Sequence, residues 1–137
     1  MAENSQSIQW VMRIISAVIL LIVGGVHLFL VLDGIGGLLG VLFVLNTVAA
    51  VVLAIGMLAL RGRLLQLATV LSLLFLIASL LSLVLALTVG LFGIREVWTF
   101  TLVPQTIWIE SIGIVVLAFT TAVMFRRAPA MQRGASV

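Results

Sequence analysis

The chain has 137 residues, of which 64% are hydrophobic and 8% charged, against about 25% charged in an ordinary soluble domain. So few polar residues cannot cover a water-facing surface, and a disordered chain would be polar and charged, so both classes are excluded and one small integral membrane domain remains. The net charge of +3 does not point to nucleic acid, because six of the seven arginines stand at the ends of apolar runs, where membrane topology accounts for them.

The first apolar run covers about 8–32, with Gln9, Arg13, Ser16 and His27 as its polar members. It is too long for a signal peptide, and no small-residue cleavage site follows, so it is read as a retained helix. The second covers about 35–60 and carries Asn46 and Thr47. The third runs from about 64 to 92, and the fourth from about 104 to 125 behind Pro104, a residue suited to a first helical turn. About 20 helical residues cross a bilayer core of roughly 30 Å. Each run is long enough, and the third is so long that it must tilt or emerge. Membrane strands would alternate apolar and polar residues, and these runs are continuous. The expected fold is all-α, a four-helix transmembrane bundle with short loops and a single domain over 1–137.

The arginines set the expected orientation. Arg13, the pair Arg61 and Arg63, and the group Arg126, Arg127 and Arg133 fall on one side of a four-span chain, and only Arg95 falls on the other, beside Glu96. This six-to-one bias predicts a plasma-membrane protein with both termini cytoplasmic. Arg61, Arg63, Arg126 and Arg127 are then candidate anchors to lipid head groups, and Arg95 with Glu96 a solvated loop pair. Trp10 on one side and Trp98, Phe100 and Trp108 on the other fit interfacial aromatic belts. Arginine without any lysine fits a GC-rich bacterial genome.

Helical rise places one polar residue of each helix at a common depth. His27 is 14 residues beyond Arg13, or about 21 Å. Asn46 is 15 before Arg61, or about 22 Å. Ser79 is 16 beyond Arg63 and Glu110 is 16 before Arg126, each about 24 Å. Each of the four also lies on or beside its helix's stripe of small residues. Those stripes are Gly24 with His27; Gly36, Gly40 and Thr47; Ser72, Ser79, Ser82 and Ala86; and Glu110, Gly113 and Thr120. Small residues mark helix–helix contacts in membranes. A layer of His27, Asn46, Ser79 and Glu110 near the bundle axis is therefore expected. Glu110 leads it, because a membrane carboxylate costs about 2–3 kcal/mol or more unless paired, protonated or hydrated. These four are the candidate ligand-binding or proton-exchange residues, with Glu110 and His27 as a possible exchanging pair; the alternatives are structural hydrogen bonding and, for Glu110, a place at the membrane rim. Gly36-x-x-x-Gly40 is a candidate close-packing motif. Val51-Val52-Leu53-Ala54 recurs as Val115-Val116-Leu117-Ala118, with Asn46 and Glu110 each five residues ahead of a copy, as a duplicated hairpin would leave.

With no cysteine and one histidine, thiolate chemistry and bis-histidine haem are excluded. No phosphate loop or nucleophile elbow occurs, and no catalytic residue or metal site is expected. The only cofactor the sequence admits is a haem or chlorophyll on His27, with Gly24 and Gly25 leaving room for a flat ring; none is the leading expectation.

His27-Leu28 and the segment Gly40-Val41-Leu42-Phe43-Val44-Leu45-Asn46 resemble small four-span membrane proteins of actinobacteria, similar to DoxX-like proteins in size and span number. The resemblance covers helices one and two. It implies an architecture and an association of His27 with Asn46, and no activity. Small multidrug exporters are also four-span, but their glutamate lies in the first helix and Glu110 lies in the last. Three roles follow in order: a non-enzymatic accessory or structural subunit of a membrane complex or a homo-oligomer; a carrier or binder of a proton, quinone or lipid-like ligand at the polar layer; and a redox or pigment-binding subunit. The partners expected are the bilayer and other membrane subunits, with no nucleic acid.

Overall fold

A computed structural model describes residues 2–126. It contains four helices: α1 (Ala2–Leu32), α2 (Gly37–Ala59), α3 (Gly62–Thr88) and α4 (Val103–Phe125). No strand occurs among the described residues. All four helices are long and apolar enough to cross a membrane. Their outward faces carry large apolar residues, such as Ile22, Val52, Leu74 and Val115, all exposed. This is the reverse of a water-soluble surface, and it suits contact with lipid.

The helices form a ring of antiparallel neighbours. α1 packs most extensively on α2, and α3 on α4. The two hairpins join chiefly through α1 and α4, and α2 meets α3 least. Leu20, Met57, Leu76 and Leu117, one from each helix, are completely buried and form the centre of the core. Two glycines permit the closest approaches. A Cβ on Gly24 would stand 2.9 Å from Ala50 Cβ, and one on Gly113 would stand 2.6 Å from Leu76 Cδ1 and 2.7 Å from Ile19 Cγ2. Thr47 Oγ1 adds a hydrogen bond across the first contact, to the Gly24 carbonyl at 3.1 Å.

Several boundaries differ from the sequence expectation. α1 begins at Ala2 rather than near residue 8, since nothing in the polar segment 2–7 breaks a helix. α2 begins at Gly37, because the Asp33–Gly34 turn extends through Gly36. α3 ends at Thr88 and not near residue 92. The run stays apolar through Leu91 and Phe92, but the backbone turns: Gly90 takes φ +90°, and Leu91 and Ile94 exchange hydrogen bonds of 2.9 and 2.8 Å around Phe92 and Gly93, both at positive φ. Turn chemistry overrides hydrophobic continuity there. The 27 residues of α3 still extend about 40 Å. The 89–102 connection is tied back by the Glu96 amide to the Ala86 carbonyl at 3.0 Å. Gly36 and Gly40 do not form a helix–helix contact. Gly36 is exposed with open space around it, and the room at Gly40 is taken by the carbonyl of Ile35, 2.6 Å from where a Cβ would stand. The motif serves the turn into α2.

Candidate functional site

Asn46, Ser79 and Glu110 meet. Asn46 Nδ2 donates to Ser79 Oγ at 3.0 Å, and Ser79 Oγ donates to Glu110 Oε1 at 2.6 Å. The two residues that precede the repeated Val-Val-Leu-Ala segments thus converge on one serine from opposite helices. Glu110 is completely buried within the bundle, while Asn46 and Ser79 are half-buried along the loose α2–α3 seam. Asn46 Oδ1 and Glu110 Oε2 are buried and have no hydrogen-bond partner. Leaving such an atom unpaired costs about 1–3 kcal/mol.

His27 stands apart from this chain. Its Nδ1 bonds to the Val23 carbonyl at 2.8 Å, one turn back on α1, and its ring meets Phe43 edge-on with centroids 4.9 Å apart. A carbonyl only accepts, so Nδ1 carries the proton. No direct His27–Glu110 contact exists. The space expected beside Gly24 for a flat ring is filled by Ala50 and Thr47 of α2, and Gly25 opens outward.

Beside the chain lies a cavity of about 390 Å³. Its walls come from α1, α2, α3, the 89–102 connection and the start of α4. His27, Asn46 and Ser79 line it among leucines and the rings of Phe43, Phe75 and Phe100, and Glu96 lines it from the connection. Glu110 does not line it and stands one hydrogen bond behind, at Ser79. The half-buried Glu96 was expected in a solvated pair with Arg95; instead Arg95 lies against Gly90 and Glu96 turns to the cavity. Its burial raises the Glu96 carboxyl above the usual carboxylate range. Leu45 and Ser82, both exposed, also border the cavity, so it reaches the outer surface of the α2–α3 seam.

Other serines behave differently from Ser79. Ser72 and Ser82 each bond back to the carbonyl four residues earlier, at 2.7 Å, and Ser82 is exposed and not part of a packed stripe.

The opposite end of the bundle holds polar contacts that the sequence reading passed over. Arg13, read there only as a topology signal, donates from Nε to the Met57 carbonyl at 2.6 Å. Its Nη2 donates to the carbonyls of Leu58 and Leu60 at 2.8 and 2.9 Å. It thereby caps α2, whose last carbonyls lack helical partners, while its guanidinium lies 4.7 Å from the centre of the Trp10 ring. Further in, Thr120 gives its proton to the Val116 carbonyl at 2.8 Å, so Ser16 is the donor in the buried 3.1 Å bond between them. The spacing of Ser16 and His27, eleven residues or three turns apart on α1, is the signal that would have placed Ser16 on the buried face. Arg61, Arg63 and Arg126 are exposed at this same end; Arg127 lies outside the described residues.

The chain matches no protein-family model, no curated protein and no solved structure.

Proposed function

We propose that this is a multi-pass membrane protein that binds a lipid-like or quinone-like ligand in the cavity beside the Asn46–Ser79–Glu110 chain. One observation carries the reading. The cavity coincides with the polar layer and reaches the bundle surface at the seam where the helices pack least. A bundle whose polar residues served only as glue would close around them, since interiors pack densely and buried polar atoms find partners. Here the seam stays open beside the chain, and Asn46 Oδ1 is buried without a partner. Purification in native-lipid nanodiscs, followed by native mass spectrometry and an absorption spectrum, tests it. A bound small molecule is expected in the wild type and lost in Ala78→Trp, which fills the cavity from an exposed position on α3. Equal ligand content in both, or none in either, overturns the reading.

A second reading, an accessory subunit of a membrane complex or a homo-oligomer, is favoured by one stripe on α4. Trp108, Ile112, Val115 and Phe119 are 51–71% exposed and share a helix face. Cross-linking from this stripe in intact membranes captures a protein partner if the role is real and lipid alone if it is not.

Both readings place the arginine-rich end in the cytoplasm and the cavity in the outer half of a plasma membrane. The support is the charge bias, with Arg13, Arg61, Arg63 and Arg126 at one end and Arg95 at the other. The chain has no cysteine, so Ser5→Cys and Asp33→Cys report sidedness cleanly. An impermeant maleimide is expected to label only Asp33→Cys in whole cells, and the reverse pattern refutes the orientation.

A further inference from the structure

We propose that the cavity selects an apolar molecule headed by a protonated amine, an inference that rests on the ligand-binding reading above. The polar groups of its wall include several acceptors that no donor meets. Ser79 has a single proton and gives it to Glu110, so it can only accept from Asn46. That fixes Nδ2 toward Ser79 and leaves Asn46 Oδ1 unpartnered. His27 commits its Nδ1 proton to Val23, so the neutral ring presents Nε2 as an acceptor. Glu96 brings a carboxylate to the wall of the connection.

Most of the side-chain donors, by contrast, are spent. Ser82 gives its proton to Ala78 and Thr106 gives its own to Leu102, each at 2.7 Å. The second amide proton of Asn46 and the hydroxyl of Thr101 are the side-chain donors without an assigned acceptor. No arginine lines the cavity. Glu110 adds a second carboxyl one hydrogen bond behind the wall, bonded to Ser79 and to no cation among the described residues.

A head group that only accepts, such as a carboxylate or a phosphate, would meet acceptors and a like charge. An ammonium meets His27 Nε2 and the Glu96 carboxyl, with the unpaired Asn46 Oδ1 buried within the same wall, and charge-assisted hydrogen bonds of this kind are the stronger class. The rest of the wall is leucine and phenylalanine, so the remainder of the ligand is hydrocarbon.

The test uses the full-length protein in nanodiscs of neutral phosphatidylcholine, so that bilayer surface charge does not attract the probes. Decylamine, decanol and decanoate share one chain length and differ only in the head. Binding is read by native mass spectrometry and by thermal shift. Decylamine is expected to bind about tenfold more tightly than decanol, with decanoate weakest. Glu96→Gln and Asn46→Ala should each reduce the amine's advantage several-fold, and Ala78→Trp should abolish binding of amine and alcohol alike. Glu96 is on a connection and half-exposed, so its variant reads out charge without disturbing the helices. Equal affinities for the three heads, a preference for decanoate, or an amine preference that survives both Glu96→Gln and Asn46→Ala overturns the head-group assignment and leaves the cavity reading intact. If Ala78→Trp does not change binding of any probe, or no probe binds, the cavity reading itself falls.

Discussion

The two ends of the bundle treat their polar groups in opposite ways. At the arginine-rich end, one guanidinium satisfies three carbonyls of α2, and Ser16 and Thr120 bond each other between α1 and α4. At the other end, a three-residue chain runs from α2 through α3 to α4 and stops with an unpaired oxygen at each extremity, beside a cavity. Both ends are built from the same apolar residues and the same helices, so composition does not separate them. What differs is whether each acceptor has been given its donor. An apolar interior makes an unmatched acceptor costly, and a protein that keeps several in one place has a reason to present them.

Four substitutions would break or sharpen this contrast. Arg13→Ala should have the largest effect, about 3 kcal/mol of stability lost, because it strips charged hydrogen bonds from three carbonyls at once. Detergent-denaturant unfolding measures it, and a loss below about 1 kcal/mol would mean that lipid or water replaces the cap. Gly113→Ala should cost about 1–3 kcal/mol in the same assay through overpacking against Leu76 and Ile19. A neutral result would show that the core near Glu110 is looser than its distances indicate.

Glu110→Leu should cost about 1–2 kcal/mol by leaving the Ser79 proton without an acceptor. Glu110→Gln, which still offers an oxygen to Ser79, should fall within about 0.5 kcal/mol of the wild type. If both variants cost the same, the chain does not hold the cavity end of the bundle together.

The smallest effect belongs to Glu96. Burial raises its carboxyl above the ordinary value, so its contribution to stability is fully present below the unfolded value and declines as pH rises through the folded one. Glu96→Gln should therefore be slightly more stable than the wild type at neutral pH, by less than about 0.5 kcal/mol because solvent screens this half-exposed loop, with no gain in acid. A melting-temperature series against pH checks the sign. A variant less stable at neutral pH would indicate that the Glu96 charge already has a partner.

Helical periodicity and rise carried the reading of the sequence a long way. Four spans, the common depth of Asn46, Ser79 and Glu110, and the inward face of Glu110, Gly113, Leu117 and Thr120 all follow from fixed helical geometry. Two kinds of feature were not legible. One is backbone that turns within apolar sequence: Leu91 and Phe92 read as helix because hydropathy does not register a positive φ. The other is the choice of acceptor. Arg13 reads as a topology charge because nothing in a sequence shows which carbonyls a long side chain will reach. His27 belongs to the layer by depth, yet its nearest acceptor is the carbonyl of its own helix, four residues away.

The short link between α2 and α3 has a mechanical consequence. Leu60 and Arg61 join these helices within two residues at one end, and at the other end nothing covalent joins them directly. The pair has the geometry of tongs with a pivot at Leu60. Asn46 sits 14 residues up one arm, about 21 Å from the pivot. Spreading the arms by about 5° would carry Asn46 about 2 Å from Ser79 on this lever, enough to part a 3.0 Å hydrogen bond, while the carbonyls held by Arg13, close to the pivot, would barely move. Widening the seam beyond its present opening at Leu45 and Ser82 would therefore stretch the Asn46–Ser79 bond, whereas a slender chain using that opening would leave the bond intact.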